Sequence, residues 1–172
     1  MAKTTFSGQV ISKNGFQNLG PHMTVSLTAD TSLTVATHAG KILLCNDADG
    51  KFTLPSINVN ANGATAGDND FNNLNNIGAQ FKFFVETAAT DMDIKTDGTD
   101  KFKGAVMIGV NDGSKKAFVP GATNDVITMN GSTKGGIAGS IITITAIDTA
   151  TYMVSDALLI GSGTIVTPFA DA

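Results

Sequence analysis

Side chains able to do covalent or acid–base chemistry are few in this chain, and they are scattered. Cys45 is the sole cysteine, and His22 and His38 are the only imidazoles. A Cys–His pair would supply a thiolate nucleophile. Cys45, however, sits in KILLCN (Lys41–Asn46), an apolar run of strand character, which predicts a buried structural thiol. His38, in THAG, reads as a loop residue, and His22 borders the N-terminal segment. Two acidic clusters raise the question of metal. DNDFNN (Asp68–Asn73) opens like a calcium loop with Asp68 and Asp70, but Asn73 stands where the turn needs Gly and Ala79 where a bidentate Glu is required. A solvated loop is expected there. DMDIKTDGTD (Asp91–Asp100) offers Asp91, Asp93, Asp97 and Asp100, and the nearby Lys95, Lys101 and Lys103 point to surface ion pairing instead. The glycine-rich NGSTKGG (Asn130–Gly136) lacks the order of a phosphate-binding loop, and Gly161-Ser162-Gly163 lacks that of a nucleophile elbow. No catalytic, cofactor-binding or metal-ligating residue is assigned, no cofactor is implied, and a non-enzymatic protein is expected.

The bulk composition narrows the partners. The 172 residues are enough for one full domain, or for one domain with an arm. Charged residues make up 15%, well below the usual share of about a quarter, and Thr, Asn, Ser and Gly take their place. All 11 basic residues are Lys and the net charge is −4. Without Arg the chain lacks the main bidentate reader of phosphates and bases, so no nucleic-acid partner is expected. The segment MAKTTFSGQV has no apolar signal-peptide core and no run reaches membrane-spanning length, so no membrane partner is expected. Synthesis in a cytoplasm, followed by assembly elsewhere, is the corresponding expectation. One cysteine allows no intrachain disulfide, leaving burial, hydrogen bonding and assembly as sources of stability.

The elements that must carry these residues read as strands. Asn-Gly or Asp-Gly occurs at Asn14-Gly15, Asp49-Gly50, Asn62-Gly63, Asp97-Gly98, Asp112-Gly113 and Asn130-Gly131, and such dipeptides tolerate the positive φ of tight hairpin turns. Between them lie short apolar segments: Thr24–Ala36 as an alternating strand, KILLCN and KFTLP as a hairpin about Asp49-Gly50, then QFKFFVE, MDIKT, KFKGAVMIGV, SIITITAI, TYMVS and ALLIG. This spacing predicts an all-β fold, an antiparallel β-sandwich or barrel over residues 24–172. Residues 58–76, rich in Asn and Gly, read as a long contact loop with at most one helical turn.

Two places suggest contact with other chains. In QFKFFVE, Phe81, Phe83 and Val85 point to one face of a strand. Phe84 breaks the alternation, so the second face is expected to be partly covered, by a central position in a sandwich or by another subunit. Phe81, Phe83 and Phe84 are accordingly the candidate subunit interface. Residues 1–23 carry sparse apolar side chains, Phe6, Val10, Ile11 and Phe16 among them, and end near Gly20-Pro21. They are read as an extended docking arm.

TTFSGQVISKNGF (Thr4–Phe16) resembles the opening of virion structural proteins of marine and cyanobacterial tailed phages, commonly T-x-F-S-G-P-V-x-S, with Gln9 here in place of Pro. The segments Leu27–Pro55, Gly78–Thr87, Ile94–Val106 and Thr151–Gly163 are similar to a β-module of such virions, although Thr151-Tyr152 lacks the family's usual Trp. The resemblance covers nearly the whole chain and carries no catalytic signature. It implies a capsid decoration (cement) protein on the outer surface of the virion head, partnered by the major capsid protein. A homotrimer is expected, because capsids offer threefold positions and a matched trimer multiplies weak contacts. The alternative is a head or tail fibre module binding host-surface glycans, although ten Phe, one Tyr and no Trp is an unusual aromatic set for stacking on sugars.

Overall fold

A computed structural model describes residues 23–57 and 76–172. In chain order the elements are β1 (Thr24–Leu27), β2 (Thr31–Ser32), α1 (Val35–His38), β3 (Ile42–Cys45), β4 (Lys51–Thr53), β5 (Gln80–Val85), β6 (Met92–Lys95), β7 (Lys101–Gly104), β8 (Val106–Val110), β9 (Lys115–Phe118), β10 (Val126–Met129), β11 (Ile141–Asp148), β12 (Thr151–Gly161) and β13 (Phe169–Ala170). They form a β-sandwich and no closed barrel. The large sheet runs β1-β3-β5-β11-β12-β8-β9, with β7 beside the first half of β12, and the small sheet runs β13-β10-β6-β4-β2.

The expected antiparallel pairing is corrected to a mixed one. Through its first half the chain alternates between the sheets, so β1, β3 and β5 join side by side in the large sheet while β2, β4 and β6 do so in the small one, all in parallel. Parallel neighbours need a long crossover. Here each crossover is a strand of the opposite sheet, and the first half winds as a two-sided coil. Antiparallel pairing closes the coil, with β11 against β5 and β10 against β6.

The same winding overturns the hairpin expected at Asp49-Gly50. Leu43 and Cys45 of β3 point into the core from the large sheet, while Phe52 of β4 and Leu54 just after it point in from the small one. The turn therefore carries the chain across the sandwich. Gly50 lacks the positive φ of a type I′ turn, and a Cβ there would lie 2.7 Å from the Phe52 ring. The Asp112-Gly113 dipeptide does make the hairpin that its type suggests, joining antiparallel β8 and β9 with Gly113 at φ 89°. The long strand expected over Thr24–Ala36 is also divided. It becomes β1, β2 and one helical turn, α1, capped at its start by Thr34, whose Oγ1 accepts from the Thr37 N–H.

The two inner faces meet in one apolar core. Phe81, Phe83, Ile144 and Leu159 come from the large sheet, and Phe52, Met92, Ile94, Ile127 and Met129 from the small one, all fully buried. The rings of Phe52 and Phe83 stack across the sandwich with centroids 6.5 Å apart. Tyr152, buried on β12, spans the layers and donates from Oη to the Pro55 carbonyl at 2.5 Å. A hydroxyl placed in an apolar core needs such a partner.

Candidate functional site

Any chemistry in this chain would start with its titratable groups. Cys45 is fully buried, and burial pushes its thiol up to about 12, so a thiolate is not on offer at neutral pH. His38 is buried in α1, a helical turn and not the expected loop, and its Nδ1 accepts from the Thr34 N–H at 2.9 Å. His22, Asp68 and Asp70 lie outside the described residues, as do the arm positions Phe6, Val10, Ile11 and Phe16.

The acidic run Asp91–Asp100 is spent on structure, but with different cations from those the sequence suggested. Lys51, on β4, reaches Asp91 and Asp93 at 3.0 Å each. Lys101 turns away to Asp125, at 2.6 Å. Burial alone would raise the Asp125 carboxyl, but Lys101 and the Ala172 N–H outweigh it and hold it below the usual range. Asp97 folds its own turn. Burial would raise it too, yet hydrogen bonds from the Ser56 hydroxyl and from Thr99 and Asp100 bring it down to about 2. Asp100 accepts from the Ile57 N–H at 2.9 Å, and Asn76 donates to the Ser56 carbonyl at 2.8 Å. Both ends of segment 58–75 are thus tied to one another and to this turn. Among the described residues no three His, Cys, Asp or Glu side chains converge as a metal would require.

What stands out is a surface. On the outer face of the large sheet the register places Leu44, Phe84, Ile141, Leu158 and Met107 side by side across five adjacent strands, ending in Ala117 on β9. Leu44, Phe84 and Ile141 are half-buried, whereas Leu158 and Met107 are 47% and 44% exposed. Ile42 and Ile160 add apolar surface to either side of the row. Monomeric proteins seldom show so continuous an apolar strip without a partner for it.

The strip also corrects the expected interface. Phe81 and Phe83 are fully buried in the chain's own core and have no surface left for another subunit, because β5 lies inside the large sheet with its inner side chains under the small one. Only Phe84 faces outward. The rest of the row was present in the sequence as broken alternation: Leu44 between Leu43 and Cys45, Ile141 before Ile142, and Leu158 beside Leu159 and Ile160. A strand buried on one face and apolar on the other reads this way.

Compared with protein-family models, curated proteins and solved structures, the chain matches none.

Proposed function

We propose that this chain is a capsid decoration (cement) protein of a tailed phage, holding to the outer surface of the icosahedral head through the major capsid protein. The resemblance of Thr4–Phe16 and of the β-module supports the reading. The observation that carries it is the apolar row Leu44–Phe84–Ile141–Leu158–Met107, on a domain whose acidic run and cysteine are committed to internal bonds and burial. Such a surface suits assembly between copies, not turnover, and leaves the hold on the head to residues 1–23. Many copies on a symmetric lattice turn modest single contacts into firm attachment, and residues 1–23 serve as a strap over neighbouring capsid subunits.

The test uses heads lacking the protein. Added pure chain should co-sediment with them up to a fixed number of copies per head and raise their resistance to heat. A chain lacking residues 1–23 should stay folded and lose most of this binding. Failure of the full chain to bind heads, together with retention on a glycan array, would replace this reading with that of a fibre module.

A further inference from the structure

We propose that the outer face of the large sheet pairs with the same face of a second copy, about a twofold axis lying along the row Leu44–Phe84–Ile141–Leu158–Met107. Charge placement argues for a second copy as the occupant. Lys82, on β5, stands two residues before Phe84 on the outer face, and Glu86, just past the end of β5 at Val85, stands two residues after it and meets Asn46; both are exposed. They lie about 7 Å to either side of the row. A half turn about the row sets each apolar residue over its own counterpart and carries Lys82 over Glu86 of the partner subunit, and Glu86 over Lys82 of the partner subunit. The face is therefore complementary to itself, as an isologous interface must be. An axis along the strands and centred on β11 would instead set Lys82 over Ser155 of the partner subunit and Glu86 over Ile160 of the partner subunit, leaving both charges unmatched.

Two further observations agree. Glu86 is positioned on this face, where its carboxylate accepts from Asn46 Nδ2 at 2.5 Å. The area is also sufficient. Seven strands span about 29 Å and the eight residues of β11 about 26 Å, giving roughly 750 Å² against the ~800 Å² per partner of a stable complex. An apolar centre with charges toward its edge is the usual anatomy of such interfaces. Lys103 and Lys115, at the β7 and β9 end of the sheet, fall on the rim. A twofold pair takes the place of the threefold assembly that capsid symmetry alone suggests. It does not depend on the capsid reading, because the contact forms between free copies.

Sedimentation equilibrium of the full chain, without capsids, tests the proposal. The wild-type chain should be a dimer in the micromolar range. K82E and E86K should each weaken the dimer at least tenfold, because each places like charges together twice. Mixing the two variants should restore association, since every facing pair is then Glu opposite Lys, and the double variant K82E/E86K should self-associate like wild type. F84D should be monomeric. If F84D fails to fold, L158K, at a side chain already half in solvent, takes its place with the same expected result. A monomer at millimolar concentration overturns the proposal, as does a trimer, a failure of the mixture to restore pairing, or a face covered only when capsid protein is added. Capsid co-sedimentation is measured separately, so either result can fail while the other holds.

Discussion

Phe83 and Phe84, adjacent in the chain, lie on opposite faces of the large sheet: Phe83 is fully buried and stacks on Phe52, whereas Phe84 is half-buried in the outer row beside Leu44 and Ile141. Their substitutions should separate accordingly. F83A empties a filled site between the layers and should cost about 3–5 kcal/mol. In the monomer F84S removes surface that is partly wet already and should cost less than about 1.5 kcal/mol, scaled from the area it hides. Urea unfolding at concentrations low enough to keep the chain monomeric checks both. Equal losses would mean that the two faces are not distinguished as described.

The same pair shows how far the sequence could be read. Alternation in QFKFFVE puts Phe81, Phe83 and Val85 on one face, which the structure buries, and the break at Phe84 falls on the opposite, half-buried face. Hydrophobic period, however, says nothing about which chain covers a face, so it leaves Phe81 and Phe83 as candidates for a subunit interface, whereas the small sheet of the same chain covers them. Pairing direction was illegible for a related reason. Asp49-Gly50 and Asp112-Gly113 are the same dipeptide, yet the first crosses between sheets and the second makes a hairpin. The difference lies in where Phe52 and Leu54 find their core, which is a tertiary matter. The acidic run reads as surface pairing with the nearby Lys95, Lys101 and Lys103, but the partner of Asp91 is Lys51, 40 residues away, beyond the reach of any local pattern.

Asp97 offers a titration that reads one turn. Its carboxyl is held at about 2 by hydrogen bonds from Ser56, Thr99 and Asp100. A lowered folded value contributes stability that is present above the ordinary carboxylate range, near 3.9, and is lost as the pH falls toward 2. NMR of the side-chain carboxyl carbon should place its midpoint near 2 in the wild type and higher in S56A, which deletes one of the donors. An unchanged midpoint in S56A would remove Ser56 from the account. S56A should also loosen the neck of segment 58–75, seen as faster exchange of the Ile57 amide.

Tyr152 is the only tyrosine and the chain has no tryptophan, so tyrosinate absorbance reports on it alone. Burial, then the charges of Asp100 and Asp97, push its phenol above the ordinary tyrosine value near 10. The sign follows from linkage: the native state keeps a proton that the unfolded chain gives up, so this stabilisation is complete below pH 10 and declines as pH rises beyond it. Tyrosinate absorbance should therefore appear together with unfolding and not before it. Y152F loses the bond to Pro55 and should cost about 1–2 kcal/mol at neutral pH, while unfolding at higher pH than wild type relative to its own neutral stability. Tyrosinate formed in a chain that is still folded would refute the burial argument.

Gly104 ends β7 where the chain passes β12, with φ 119° and no room for a side chain. A Cβ built there would lie 2.2 Å from the Val154 carbonyl oxygen. Backbone cannot yield as a flexible side chain does, and β12 is fixed on its other side by β11. G104A therefore has two costs at once, an unfavourable φ and a clash with main chain, and should lose at least about 3 kcal/mol or fail to fold. Gly109, on β8, has nothing within 4 Å of the same built position and no positive φ. G109A should therefore stay within about 1 kcal/mol of wild type. Thermal unfolding of the two variants side by side makes the comparison, and a well-folded G104A would require β7 and β12 to lie farther apart than their register allows.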